Sequence, residues 1–426
     1  MTYSSIAYRS LKYEPKRYIL LFVAASFGIA LVLTAIGLMN GVLYAFNNKA
    51  RIYYGGDLIL LHSTNGKLGW YNTDEVISEI EPYFTSKDFL LSYRIDYENE
   101  NTFLFFEGES LKQRKLKGVD FSREDKLFSS LTFSEGSRKI QRGFNGIYIS
   151  TLTAENLNLK IGDNVLLMLR TTNNYTETAN LVVEGIFQDS SLFGANISYL
   201  DFEFLRSLIK YPKDYSISIG AFSNKKLSNL EILTIQEELK QFFDMYKLVE
   251  DKQIFIDNLS KLNGKTALIT LTSNLENLNF LILAMRIIIY IIIAILIVII
   301  AIGIGSTYKV IAVKRTNEIG MYMALGLSPN GIIQLFMIEV FYLMLLAYVF
   351  SLFIMMISAI IISSLNFSQI PAFDIFLMNG KLLVQPNFLQ ILLILGIVIV
   401  TTMSLVYFTI RKCVNVNPVD ALSVTE

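Results

Sequence analysis

The chain contains very few of the residues on which most catalytic and metal sites depend. Among its 426 residues there is one histidine, His62, and one cysteine, Cys413. A single cysteine excludes an internal disulfide framework, and a single histidine leaves almost no material for metal clusters or histidine-dependent triads. We therefore expect no metal site, no directly bound cofactor and no enzymatic activity in this chain.

Charge is scarce as well. Only 17% of the residues are charged, and 37 basic residues balance 37 acidic ones, so the formal net charge is zero. Without a basic field, nothing indicates nucleic acid as a partner. Hydrophobic residues make up 53% of the chain and the mean hydropathy is +0.45. This composition favours a membrane protein.

One short segment superficially resembles the end of a phosphate-binding loop: "LNGKT", Leu262–Thr266. That loop requires a glycine five residues before Gly264, because its backbone wraps around the phosphates, and residue 259 is leucine. We expect no nucleotide site here, so any ATP would be bound by a partner subunit.

Long charge-free runs dominate the sequence. They extend over Tyr18–Asn48, between Arg286 and Lys309, and within Val340–Phe373 and Leu382–Ile410. A helix needs about 20 apolar residues to cross the hydrocarbon core, so four spans are predicted. The first run exceeds the roughly 7–15 residues of a signal-peptide core, and we expect an uncleaved anchor.

Ionisable residues are confined to the ends of these runs. Arg286 is expected to extend to the outer interface, although a position in a substrate path is the alternative. Glu339 lies at the inner end of the third span, where it is expected to reach water. The absence of other ionisable residues from the spans argues against an ion-coupled carrier.

The distribution of basic residues predicts the topology. The N-terminal tail, the loop after the second span and the C-terminal tail are basic, whereas the loop between spans three and four contains only Lys381. By the positive-inside rule both termini are cytoplasmic. The predicted segments are a cytoplasmic segment 1–17, span one 18–46, an outer domain 47–277, span two 278–308, a cytoplasmic loop 309–331, span three 332–364, a short outer loop 365–387, span four 388–410 and a cytoplasmic tail 411–426.

The outer segment is predicted to be a mixed α/β domain. Five short apolar runs rich in β-branched or aromatic residues indicate strands, and two segments indicate amphipathic helices. The strands are Asp57–Leu61, Phe89–Ile95, Thr102–Gly108, Asn164–Arg170 and Asn180–Phe187; the helices are Thr73–Phe84 and Leu230–Tyr246. His62, at the end of the first strand, is expected to be a turn or surface residue.

The cytoplasmic loop contains "NEIGMYMALGLSP", Asn317–Pro329, in which Glu318 is the only charged residue. Asn317 suits a helix N-cap, Gly326 a left-handed stop, and Ser328 with Pro329 the start of the next helix. A short helix that is apolar nearly all round has to bury both faces. Packing on the bilayer or its own bundle and docking into a cytoplasmic protein remain equal alternatives on these grounds.

The same region resembles the MacB/FtsX-like permease superfamily. "VKRTNEIGMYMALGLSPNGIIQLFMIEVFYL" (Val313–Leu343) is similar to its coupling-helix signature, "IAYRSLKYEPKRYILLF" (Ile6–Phe22) to its N-terminal lead and "NPVDAL" (Asn417–Leu422) to its C-terminal tail. The resemblance implies a type VII ABC exporter-like fold with four transmembrane helices and a large mixed α/β extracytoplasmic, MacB-like domain between helices 1 and 2. The implied docking residues for a separate ATPase are Glu318, Ile319, Gly320, Met321, Tyr322, Met323, Ala324, Leu325, Gly326 and Leu327.

Within the superfamily the chain is most similar to lipoprotein-releasing permeases of the LolC/LolE type. "LKGVDFSREDKLFSSL" (Leu116–Leu131) and "LNLKIGDNVLLM" (Leu157–Met168) resemble their segments, although Phe121 replaces the usual proline. This resemblance implies a permease subunit in the bacterial inner membrane that transfers lipoprotein cargo to a periplasmic LolA-like carrier. Its partners would be a LolD-like ATPase, a second permease chain and membrane lipids. A MacB-like exporter and an FtsX-like regulator of a cell-wall enzyme are the alternatives.

The outer end of the first span is a candidate lipid site. Its adaptable apolar side chains would line an acyl-chain cavity between paired chains, and ordinary helix packing is the alternative. The candidate residues are Leu38, Met39, Val42, Leu43 and Phe46.

Overall fold

A computed structural model of the chain describes residues 3–124, 128, 133–136, 145–189, 191, 193–367, 370, 373–378 and 380–414. The predicted family segment Asn417–Leu422 and part of Leu116–Leu131 lie outside these residues. The described chain forms two compact units. We call Met1–Val42, Leu283–Leu365 and Leu382–Glu426 the helical unit, and Leu43–Ile282 with Asn366–Lys381 the sheet unit.

Four helices are long and apolar enough to cross a membrane: α2, Pro15–Tyr54; α9, Glu276–Lys314; α11, Pro329–Ser364; and α12, Phe388–Val414. They contain the four charge-free runs. Two shorter helices also belong to the helical unit: α1, Tyr3–Tyr13, and α10, Thr316–Ala324.

Helix α2 continues past the predicted end of its span. Its 40 residues correspond to about 60 Å, roughly twice the thickness of a hydrocarbon core. Polar residues such as Asn48 and Arg51 do not interrupt the backbone ladder, so the helix ends only at Gly55 and Gly56. These two glycines have φ of +91° and +153°, and both amides donate to the carbonyl of Arg51.

The sheet unit is built on strands whose side chains alternate between buried and exposed positions. In strand β9, Asn164–Arg170, the side chains of Val165, Leu167 and Leu169 are buried and those between them are more exposed. Strand β8, Gly146–Ser150, is buried along its whole length, as expected for a central strand. The other strands are β1, Leu58–Thr64; β2, Lys67–Leu68; β3, Phe89–Tyr97; β4, Phe103–Phe106; β5, Glu109–Lys112; β6, Lys115–Val119; β7, Phe133–Gly136; β10, Thr176–Phe187; β11, Ile197–Asp201; β12, Ser218–Ser223; and β13, Thr266–Thr270.

These strands form one mixed sheet in the order β13-β1-β12-β3-β6-β11-β8-β10-β9-β4-β5, with β2 added to β1 and β7 to β10. Pairs β10–β8 and β11–β6 are parallel, and the remaining pairs are antiparallel. The helices of this unit among the described residues are α3, Thr73–Ser86; α4, Thr151–Leu157; α5, Phe202–Ile209; α6, Asn229–Glu238; α7, Lys252–Ile256; and α8, Leu271–Asn274. The main core forms where Ile80 and Phe84 of α3 and Leu205 of α5 pack against the strands.

Two local predictions for this unit are wrong. The predicted helix over 230–246 ends at Glu238, followed by a short 3₁₀ turn, and Leu230 is exposed because only Ile235 and Gln236 of α6 are buried. His62 lies within β1 and is partly buried. Its ring stacks on Trp70 and its Nδ1 lies 2.9 Å from the Thr266 hydroxyl. Burial lowers the pKa of His62.

Candidate docking site and its buried ion network

Helix α10 is the short apolar helix predicted from the loop sequence, but it begins two residues earlier than expected. It starts at Thr316 with Arg315 in the cap position, and Asn317 lies inside it. The ending is as predicted: Gly326 has φ +89°, and the hydroxyl of Ser328 accepts from the amide of Gly331 at the start of α11.

The two faces of α10 differ in burial. Ile319 and Gly320 are buried within the helical unit, and Tyr322 and Met323 pack at the edge of its core. Met321 is 49% exposed and Leu325, just beyond the helix end, is 72% exposed. The helix therefore uses one face to pack on its own bundle and leaves an apolar face open. The predicted docking residues Ala324 and Gly326 are also exposed, and Leu327 is partly buried.

A buried ion pair lies directly before this helix. The Nη1 atom of Arg315 is 2.6 Å from Oε2 of Glu339, and the two side chains are 3% and 0% exposed. The expectation that Glu339 reaches water is therefore wrong. A lone carboxylate inside a span has to be neutralised by a partner, and the partner is Arg315, 24 residues earlier in the chain.

Two tyrosines complete the surroundings of Glu339. The hydroxyl of Tyr18 on α2 donates to Oε2 of Glu339 at 3.1 Å and accepts from Arg315 at 2.8 Å. The hydroxyl of Tyr308 on α9 lies 3.4 Å from the same carboxylate oxygen. In addition, the guanidinium of Arg315 lies over the ring of Phe336, 4.6 Å from its centroid.

Glu318, in the first turn of α10, connects the helix to this cluster. Its Oε2 is 2.6 Å from Nε of Arg315, and its Oε1 is 2.6 Å from Nη1 of Arg17 on α2. Burial opposes the charge on Glu318, but the two arginines outweigh it and lower the pKa of this carboxyl. We call Arg17, Tyr18, Tyr308, Arg315, Glu318 and Glu339 the ion network. It joins the start of α10 to α2, α9 and α11.

A second set of buried cations lies at the end of α2, inside the sheet unit. Arg94 on β3 donates to the carbonyl of Ile52 and to the carboxylate of Glu124. Lys117 on β6 donates to the carbonyl of Tyr53 at 2.6 Å and to Asp96 at 2.7 Å. Cations at a helix C-terminus satisfy its free carbonyls and complement its dipole.

The five candidate lipid-site residues all lie on α2 and differ in burial. An apolar groove of about 580 Å³ in the helical unit is lined by Leu38, Leu31 and Ile354, among others, with Thr34 and Ser358 hydrogen-bonded at 2.8 Å. Of the five predicted residues, Leu38 is the one that lines this groove. Met39 and Phe46 are buried, Phe46 against Phe193, and Val42 and Leu43 are partly buried. A cavity between paired chains at these residues stays a prediction.

In the segment Leu262–Thr266, Thr266 opens strand β13 and not a helix. Among the residues that the structure describes, no group of three or more histidine, cysteine, aspartate or glutamate side chains could hold a metal ion.

Sequence reasoning identified α10 but missed the ion network. The pairing of Arg315 with Glu339 depends on how α9 and α11 pack, which local sequence does not specify. One signal was present, because Glu339 is an isolated acid next to a span and such an acid requires a cation partner.

The chain was compared with known protein families, sequences and structures. Residues 290–418 match the family model "FtsX-like permease C-terminal". No curated protein sequence matches the chain. Among solved structures, the periplasmic region of MacB from Actinobacillus actinomycetemcomitans matches with a TM-score of 0.33 and 10% identity, covering 52% of this chain and 92% of that one. At that TM-score the likeness carries no conclusion about fold or function. The family match supports the resemblance to the MacB/FtsX-like ABC permease superfamily, and the chain is a membrane protein whose C-terminal spans are similar to an FtsX-like permease domain.

Proposed function

We propose that the chain is the membrane subunit of an ABC transporter and that α10 docks a separate ATPase subunit. One observation carries the proposal: within the region that matches an FtsX-like permease domain, α10 leaves Met321 and Leu325 exposed on a helix held by buried ion pairs. An exposed apolar helix face next to water favours a protein partner.

The ion network would transmit a movement of α10 to the other helices of the helical unit. A partner that shifts α10 would move Glu318 and Arg315, and through their contacts Arg17 on α2 and Glu339 on α11. Helices α2 and α9 also supply residues to the sheet unit. In the proposed mechanism, nucleotide-driven closure of a pair of ATPase subunits would move these helices in a pair of permease chains.

For the transported cargo, we propose release of outer-membrane-directed lipoproteins from the inner membrane to a periplasmic carrier. Both termini and α10 would be cytoplasmic and the sheet unit periplasmic, as the basic residues predict. The support for this finer proposal is the resemblance of Leu157–Met168 and Leu116–Leu131 to lipoprotein-releasing permeases.

Complementation of a strain depleted of the protein tests this function. Wild-type protein should restore lipoproteins to the outer membrane, whereas Leu325→Asp should leave them in the inner membrane. Leu230→Asp is the matched control, because Leu230 is equally exposed but lies on α6 of the sheet unit. Gly320 is less suitable for substitution, because it is buried and a larger side chain would disturb packing. If depleted cells sort lipoproteins normally but form chains, the FtsX-like alternative replaces this proposal; loss of export of another compound would favour the MacB-like one.

A further inference from the structure

The sheet unit contains a cavity that the proposed transport function does not use. It has a volume of about 410 Å³ and lies at strands β1, β3 and β6, with α7 on its border. Its lining includes Tyr54, Lys67, Asp96, Lys115 and Lys252. A volume of this size is within the range of small-ligand sites.

Lysines outnumber carboxylates around this cavity, and the carboxylates are already paired. Asp96 is 2.7 Å from Lys117, which is itself completely buried, and Glu98 is 3.1 Å from Lys115. Each of these carboxylates neutralises its own lysine, and neither forms an ion pair with a further cation in the part of the chain that the structure describes. Burial raises the pKa of Asp96, but Lys117 and Lys115 outweigh it and hold the pKa at about 2.

Lys252 is the cation left without a counterion. Among the described residues, no carboxylate lies within 4.0 Å of it, and no hydrogen bond to its ammonium is found; its Nζ lies 6.0 Å from the centroid of the Tyr54 ring. The residue is only partly exposed. Burial lowers the pKa of Lys252, although the nearby charge of Asp96 acts in the opposite direction. A partly buried and unpaired ammonium destabilises a domain unless something else neutralises it.

We propose that this cavity binds a small phosphate-bearing ligand, with Lys252 as its principal cation and Lys67 and Lys115 at the rim. Three lysines and no arginine are among the described residues that line the cavity. Lysine is a common phosphate-binding residue, because its ammonium acts as a point charge towards the several phosphate oxygens. The tyrosine rings of Tyr54 and Tyr215 offer apolar surface for the rest of the ligand.

Two sources could supply such a group: a soluble phosphomonoester or the headgroup of a phospholipid. Isothermal titration of the full-length protein in an uncharged detergent distinguishes them. The probes are inorganic phosphate, glycerol 3-phosphate and dihexanoyl phosphatidylglycerol, with succinate as the carboxylate comparison. Tighter binding of glycerol 3-phosphate would identify a soluble source, and tighter binding of the short-chain lipid would identify a headgroup.

The decisive variant is Lys252→Gln. Loss of a charge-assisted contact should weaken phosphate binding by about tenfold or more, while the thermal midpoint of the unliganded protein should stay unchanged or rise. A structural role for Lys252 predicts the opposite change in the midpoint. Lys226→Gln is the control, because Lys226 is an exposed lysine elsewhere on the same unit, and it should bind like the wild type.

Three results would overturn the proposal: no binding of any phosphate probe by the wild type, equal binding by Lys252→Gln, or preference for succinate over phosphate. None of these depends on whether an ATPase docks at α10, so failure here leaves the proposed transport function standing.

Discussion

Replacing Arg315 by methionine removes the one cation that contacts Glu339 in the described part of the chain. The carboxylate is 0% exposed, and its Oε1 atom has no hydrogen-bond partner among the described residues. Only the hydroxyls of Tyr18 and Tyr308 would then face Oε2. Leaving one member of a buried pair uncompensated costs about 3–5 kcal/mol of unfolding free energy.

Replacing the other member of the pair, Glu339, should lower the free energy of unfolding by less. After Glu339→Met, Arg315 still has Glu318, whose Oε2 lies 2.6 Å from its Nε, so we expect a loss of about 1–3 kcal/mol. When both residues become methionine, no buried charge is left unpaired. The double variant should therefore be more stable than the Arg315→Met single variant, since apolar replacement of a buried pair is often neutral or stabilising.

The assay is unfolding in mixed micelles by titration with sodium dodecyl sulfate, followed by far-ultraviolet circular dichroism. A double-mutant cycle isolates the coupling between the two residues. The reasoning is refuted if Arg315→Met loses less than about 1 kcal/mol, the range expected for an exposed pair, or if the two single losses simply add in the double variant.

Three further substitutions test other parts of the structure. Asp96→Asn should lower the free energy of unfolding by about 2 kcal/mol at pH 7. The folded pKa of Asp96 lies below its unfolded value, so its contribution is present above about pH 4 and disappears towards pH 2. When unfolding free energies are measured over a pH series, the variant should therefore lose less stability than the wild type as the pH falls from about 4 to about 2. Arg94→Met should cost about 3–5 kcal/mol by leaving Glu124 buried and unpaired, which chemical denaturation of wild type and variant measures. Gly41→Ala should lower the thermal midpoint, because a Cβ there would lie 1.8 Å from the carbonyl oxygen of Leu383, whereas Gly303→Ala meets nothing within 4 Å and should not.

Features encoded by short-range sequence were predictable. Strand β9 has the predicted bounds Asn164–Arg170, because a short apolar run between polar residues indicates a strand. Ser328 was correctly predicted as the N-cap of α11 and Gly326 as the left-handed residue after α10. Both were predictable because each depends only on the backbone of neighbouring residues.

Features that depend on distant residues were not predictable. The burial of Glu339 follows from Arg315 on another element, and the exposure of Leu230 follows from which part of α6 the sheet covers. The continuation of helix α2 beyond the predicted span was not foreseen, since hydropathy marks the apolar part of a helix but not where its backbone hydrogen bonds end. The apolar sequence of α10 likewise did not predict which of its faces packs against the other helices of the helical unit.

The central claim is that the exposed face of α10 binds an ATPase subunit. The most direct test measures the affinity of the purified partner ATPase, identified from neighbouring reading frames, for the protein in lipid nanodiscs. We predict that Met321→Asp with Leu325→Asp weakens binding at least about tenfold, while Leu230→Asp binds like the wild type. Unchanged affinity of the α10 double variant, with its fold intact by circular dichroism, would contradict the account.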